Sequence, residues 1–166
     1  ASPKFWGGFT NTFSFKGFTL EAQLNYQFGN MVQDTWGGFY NGSGNGGAFN
    51  KVQRQFDERW TTAGQNAKMP RYVYNGNKLA QNFSTFYLAK GDFIRLRNLQ
   101  VGYQIPRSLL DKFKIGAANF YVRGTNLFTW VKDDYLPWDP EQGVASQSNL
   151  NVFIPKTISF GLNIGF

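Results

Sequence analysis

The sequence predicts an all-β fold of one kind, a transmembrane antiparallel β-barrel, of which this chain supplies about the last five strands. Three observations point there. Ile158, Phe160, Leu162, Ile164 and Phe166 alternate with Ser159, Gly161, Asn163 and Gly165 up to the terminal carboxylate. A strand points successive side chains to opposite faces, so one face becomes greasy and the other small and wettable. Phe18, Leu20, Ala22, Leu24, Tyr26 and Phe28 alternate in the same way with Thr19, Glu21, Gln23, Asn25 and Gln27. That run matches the roughly 9 to 11 residues a tilted strand needs to cross a bilayer, against about five or six for an ordinary soluble strand. Composition agrees, with 18 Phe and 19 Gly among 166 residues and an aromatic content of 19%.

The elements follow in order. Residues 5–15 set Phe5, Phe9, Phe13 and Phe15 against Trp6, Gly8, Thr10, Thr12 and Ser14, and Lys16-Gly17 supplies a tight turn into the second strand, 18–28. A long connection, about 29–91, is rich in Gly, Asn and Gln. Within it Phe49, Val52, Phe56 and Trp60 fall at helical spacing. The third strand, 92–105, changes phase: Leu99, Val101, Tyr103 and Ile105 share a face that Ile94 and Leu96 miss, which predicts a bulge near Arg97-Asn98. Pro106 ends it, Ser108 to Phe113 reads as a helical turn, and 106–118 is a short connection. The fourth strand, 119–130, sets Phe120, Val122, Phe128 and Trp130 against Tyr121, Arg123 and Thr125. A second long connection, 131–153, precedes the closing strand, 154–166.

If Phe166 ends on the periplasmic side, the crossings run down, up, down, up, down. Both long connections then lie outside the cell, and 16–17 and 106–118 lie inside, the loop asymmetry of outer-membrane barrels. Five strands cannot close a membrane barrel, and an open edge in lipid leaves amides unpaired at several kcal/mol each, so the chain is expected to be part of something larger. Two other readings fit alternation alone, a secreted carbohydrate-binding β-sandwich and a segment of a passive porin.

Composition also narrows the chemistry. With no Cys and no His, thiol nucleophiles, imidazole bases and the usual zinc sites are unavailable, which leaves carboxylates and Lys. No apolar run approaches the roughly 20 residues of a membrane helix, and the amino end lacks a signal peptide core, so an export signal is expected outside this chain. The net charge of +7 raises nucleic acid as a partner, but the Lys and Arg residues are scattered rather than clustered on one face, and no nucleic acid is expected. A basic loop suits anionic lipid head groups or an acidic partner instead.

Ordered motifs add a resemblance. Trp6-Gly7-Gly8-Phe9-Thr10-Asn11-Thr12-Phe13-Ser14-Phe15-Lys16-Gly17-Phe18, Arg59-Trp60-Thr61-Thr62, Asn66-Ala67-Lys68-Met69-Pro70-Arg71, Phe93-Ile94-Arg95-Leu96-Arg97-Asn98-Leu99, Gly124-Thr125-Asn126-Leu127-Phe128-Thr129-Trp130 and Asp139-Pro140-Glu141 occur in sequence. The set resembles the carboxy-terminal part of SusC/RagA-type TonB-dependent outer-membrane transporters. The resemblance implies a 22-stranded barrel around a plug domain, in the outer membrane of a Gram-negative bacterium. It also implies a SusD-like surface lipoprotein as lid and TonB-driven import of oligosaccharides or peptides. On that resemblance the plug, the TonB-contacting segment and the earlier strands lie in the rest of the barrel, and lipid and lipopolysaccharide surround it.

Candidate functional residues fall into three groups. Glu21, Gln23, Asn25, Gln27, Tyr121 and Arg123 are expected to face the lumen, toward solute, plug or water. Trp36, Phe39, Tyr40, Tyr135 and Trp138 offer flat faces to sugar rings or to a lid, and serve equally as girdle or loop packing. Phe160, Leu162, Ile164 and Phe166 resemble the signal read by the barrel-assembly machinery. No cofactor is expected. Asp133, Asp134, Asp139 and Glu141 lack an EF-hand spacing, and Pro140 places Asp139 and Glu141 in a turn rather than across a cleft, so neither a metal site nor an enzyme is predicted.

Overall fold

A computed structural model describes residues 2–44, 50–136, 138–141, 147–148 and 153–166. The periodicity assigned to Phe49 falls outside them, as do residues 142–146 and 149–152 of the second long connection.

Five long strands form one antiparallel sheet. They are β1 (Phe5–Phe15), β2 (Phe18–Phe28), β5 (Phe93–Gln104), β6 (Ala117–Val131) and β8 (Thr157–Gly165), neighbours in that order. The turn between β1 and β2 puts both Lys16 and Gly17 at positive φ, 46° and 86°, so β1 and β2 pair from Phe15↔Phe18 through to Phe5↔Phe28. A tight two-residue hairpin of this hand matches the right-handed twist of the strands it joins.

The phase change in β5 is resolved by a bulge. Gln23 pairs with Asn98 and Leu24 with Leu96, which leaves Arg97 without a partner on β2. By taking that extra residue out of the ladder, the bulge returns Ile94 and Leu96 to the face of Leu99, Val101 and Tyr103. Beside it, Asn126 of β6 takes a left-handed φ of 52°, and the β5–β6 register jumps from Leu96↔Phe128 to Asn98↔Thr125.

With register restored, apolar rows run across the sheet, interrupted at the level of Asn11 and Gly124. Phe13, Leu20, Val101, Val122 and Phe160 form one such row. In an ordinary domain this face would be covered. Here Phe13 is 61% exposed and Phe160 72%. The opposite face carries Thr10, Gln23, Asn98, Thr125 and Thr157 at one level, a polar row. Packing on it is sparse, and Gly161 lets the Tyr121 ring lie flat across β8: a Cβ there would stand 2.2 Å from the ring.

Most of the buried residues lie elsewhere, in a cap at one end of the sheet, with Leu110 and Ala118 buried at the other. The long connection between β2 and β5 contains β3 (Met31–Asp34) and β4 (Leu88–Lys90), and β3 also pairs in parallel with β7 (Gln147–Ser148) from the second long connection. Val32, Met69, Tyr87, Ala89 and Phe93 are its buried apolar residues, and Asn30, Asp34, Asn41, Ser43 and Gln55 its buried polar ones. Two short helices, α1 (Gly37–Tyr40) and α2 (Gln53–Asp57), complete it, the second covering part of the segment whose spacing is helical. At the other end, α3 (Arg107–Leu110) runs into a 3-10 turn at Asp111–Phe113.

Candidate functional site

Arg95 holds the cap to the sheet. Alternation in β5 sends Ile94 and Leu96 to the apolar face, so Arg95 must point to the polar one, where Thr129 stands directly across on β6. Arg95 Nε donates to Thr129 Oγ1 at 3.0 Å, Nη1 to Glu141 Oε2 at 2.7 Å, and Nη2 to both oxygens of Asp139 at 2.6 Å. All three guanidinium nitrogens are thereby engaged, and the side chain is 1% exposed. Arg97, the bulge residue, donates to Glu141 Oε1 and to Asn126 Oδ1. The Asp139-Pro140-Glu141 turn closes on itself, with the Glu141 amide donating to Asp139 Oδ1 at 3.0 Å. Two acids on one turn therefore meet two arginines on one strand. Neither carboxylate faces another across a cleft, the arrangement that glycoside hydrolysis needs.

Asp92 does for the loop roots what Arg95 does for the turn. Its Oδ1 accepts from the Gly29 amide at 2.6 Å and its Oδ2 from Lys132 Nζ at 3.2 Å, so the first residues of both long connections are tied to the start of β5.

Two of the five aromatic candidates, Tyr40 and Trp138, bring their side chains to Asp34, which is buried. Tyr40 donates its hydroxyl to Asp34 Oδ2, the Trp36 amide donates to Oδ1 at 3.2 Å, and Trp138 Nε1 lies 3.3 Å from the Tyr40 hydroxyl oxygen. Burial and the facing Asp34 carboxylate raise the Tyr40 phenol above its ordinary range. Tyr135 accepts from Asn41 Nδ2 at 3.2 Å, packs beneath the Arg54 guanidinium at 4.2 Å, and is pushed up to about 12 chiefly by burial. Tyr40, Tyr135 and Trp138 thus join the two long connections to each other. Trp36 and Phe39, with ring centroids 5.2 Å apart, keep outward faces and are 39% and 42% exposed.

The six polar-face candidates all lie on the face opposite the apolar rows. Glu21 accepts from Asn98 Nδ2 at 2.9 Å and Arg123 Nε donates to Gln100 Oε1 at 2.8 Å, while the Arg123 guanidinium sits 5.6 Å over Tyr121. Gln23, Asn25 and Gln27 continue the row on β2 toward the cap. A cavity of about 330 Å³ opens there between Trp6, Asn25, Gln27, Phe93 and Glu141. Phe160, Leu162 and Ile164 line the apolar face of β8, and Phe166 follows the strand end, 98% exposed.

Arg95, Arg97, Asp92 and Asp34 did not stand out among the candidates read from sequence. One signal was present: Arg95 is a charged residue inside a strand flanked by Ile94 and Leu96, and such a charge needs a partner.

No family model matches the chain. Three proteins of Formosa agariphila are similar to it. TonB-dependent receptor P3 is 27% identical over 177 aligned positions, covering 99% of this chain and 16% of the receptor. TonB-dependent receptor P26 is 29% identical over 172, covering 96% and 16%. TonB-dependent receptor P39 is 27% identical over 140, covering 84% and 13%. Among solved structures, the RagAB peptide importer in its closed-closed state matches with a TM-score of 0.83 and 28% identity over 99% of this chain and 17% of that one. Its open-open state gives 0.82 at 28% identity. The chain therefore spans about one sixth of the length of the proteins it matches.

Proposed function

We propose, from the premise that the chain is the carboxy-terminal part of a SusC/RagA-type TonB-dependent transporter, that it forms a capped section of barrel wall in an outer-membrane importer of oligosaccharides or peptides. The observation that carries this reading is the apolar face, which spans five strands and leaves large side chains such as Phe13, Phe18 and Phe160 exposed. Burial of apolar surface stabilises by about 25 cal/mol per Å², so a face this extensive stays bare only where hydrocarbon replaces water.

On this reading the polar face lines the bore, with Glu21, Gln23, Asn25, Gln27, Tyr121 and Arg123 along it. The cap lies outside the cell, over the mouth. Both free edges of the sheet, β1 and β8, pair with the rest of the barrel, because an unpaired edge is not tolerated in lipid. Trp36 and Phe39 offer a contact surface to a SusD-like lipoprotein lid, and lipid and lipopolysaccharide surround the apolar face. The plug and the TonB contact belong to the rest of the protein, and this segment has no catalytic role. Phe160, Leu162, Ile164 and Phe166 serve as the barrel-assembly signal.

The test uses the full-length protein. Tagged in its native membrane, it should be extracted only with detergent, bring a surface lipoprotein with it, and take up labelled oligosaccharides or peptides only when TonB is present. Recovery as a water-soluble protein, or uptake that persists without TonB, would contradict the reading.

A further inference from the structure

We propose that the cap carries a binding site for an acidic saccharide, a pyranose bearing a carboxylate or sulfate, in the cavity between α2 and Tyr72. The cavity, about 580 Å³, is lined by Lys51, Val52, Gln53, Gln55, Phe56, Arg59 and Tyr72, a volume within the range of small-molecule sites. Its charge is one-sided. Residues 51–90 hold Lys51, Arg54, Arg59, Lys68, Arg71, Lys78 and Lys90 against only Asp57 and Glu58. Both acids are engaged: Glu58 pairs with Arg54 at 2.6 Å and with Lys68 at 3.7 Å, and Asp57 accepts from Gln53 at 2.9 Å. Arg59 stacks on Phe56 at 4.0 Å and gives Nη1 to the Phe56 carbonyl at 2.6 Å. Its only hydrogen-bond partner among the described residues is a neutral carbonyl, so the guanidinium keeps its full charge and further donors for an anion.

Two more features point to a sugar. Tyr72 is 40% exposed and Phe56, with Arg59 on one face, 64%, ring surface of the kind that takes the C–H face of a pyranose. Gln53 puts a carboxamide beside them, suited to hydroxyl groups. Gln55 is buried in the cavity wall, and its Oε1 has no hydrogen-bond partner among the described residues. A peptide would instead seek an unpaired strand edge, which this lining does not offer.

The proposal rests on the transporter reading only for the placement of the cap outside the cell. Binding by the purified full-length receptor needs neither TonB nor uptake, so either reading can fail without the other. The probes for calorimetry are trigalacturonate, its neutral counterpart galactotriose, and a tri-aspartate peptide. Trigalacturonate should bind, with galactotriose and tri-aspartate at least about tenfold weaker. Arg59→Gln and Tyr72→Ala should each lower trigalacturonate affinity by about tenfold, the scale of one charge-assisted contact or one stacked ring. Tyr72, half open on the surface, provides a variant that leaves the cap folded. Three results would overturn the proposal: no trigalacturonate binding, binding unchanged in both variants, or tri-aspartate bound as tightly as the saccharide.

Discussion

Arg95 and Asp139 lie 44 residues apart and meet in a bidentate pair, Nη2 within 2.6 Å of both carboxylate oxygens, with the arginine 1% and the aspartate 8% exposed. A pair this buried resists loss of one partner more than it adds net stability, because the survivor is left as an unneutralised charge. Removing Arg95 strands Asp139, while Glu141 keeps Arg97.

Arg95→Met should therefore weaken attachment of the 132–141 segment by about 3–5 kcal/mol while leaving the barrel inserted. Hydrogen exchange in the full-length protein reads this directly. The amide of Glu141, held by Asp139, should exchange far faster in the variant, and those of β2 and β8 should not change. Unchanged exchange at Glu141 would show that Asp92 and the aromatic cluster hold the cap without Arg95.

The bulge makes a sharper prediction. Deleting Arg97 leaves Ile94, Leu96, Leu99 and Val101 in unbroken alternation, so β5 can pair with β2 without a bulge and keep all four on the apolar face. Insertion into the outer membrane should survive that deletion, whereas one residue added between Gln100 and Val101, where no bulge absorbs it, should lower insertion severely. Arg97→Ala, which loses the Glu141 contact and keeps the residue count, should insert normally.

The two faces should differ in their tolerance of charge. Phe160→Arg places a guanidinium in hydrocarbon at about 2–4 kcal/mol near the bilayer midplane, whereas Ser159→Arg meets water. Heat-modifiable gel mobility of the assembled protein should report loss for the first and not for the second. Deletion of Phe166 should lower assembly in the same assay.

Alkaline pH should loosen the cap. The Tyr135 phenol ionises near 12 in the folded protein against about 10 when unfolded, and Tyr40 is also raised. A raised folded value means that the stabilisation is whole below about pH 10 and is lost as pH climbs toward about 12. Trp138, packed against Tyr40, should report the change by fluorescence. Tyr135→Phe should flatten the decline, at a cost of about 1 kcal/mol for the lost Asn41 bond.

Much of the sheet was legible because its information is local. A row such as Phe18, Leu20, Ala22 and Leu24 declares its face residue by residue, and the phase slip between Leu96 and Leu99 locates its own bulge. The cap was not legible because its bonds are distant in sequence. Asp34 meets Trp138 across 104 residues and Asp92 meets Gly29 across 63, and no periodicity links such positions. The aromatic candidates were found as a group, but their division into inward Tyr40, Tyr135 and Trp138 and outward Trp36 and Phe39 depends on a fold that only the structure shows. Asp139 and Glu141 drew notice as acids; that their partners are Arg95 and Arg97 required the strand to be built first.

The most direct test of the central claim is a spin-label scan of the full-length transporter in lipid. The chain has no Cys, so a single cysteine placed at each position from 18 to 28 and from 157 to 165 gives one labelled site in this segment. Labels at Leu20, Leu24, Phe160 and Leu162 should be accessible to oxygen and shielded from a water-soluble nickel complex, and labels at Gln23, Asn25, Ser159 and Asn163 should show the reverse. Loss of that two-residue alternation, with Leu20 and Phe160 shielded from both reagents, would mean that the apolar face is packed against protein and not lipid.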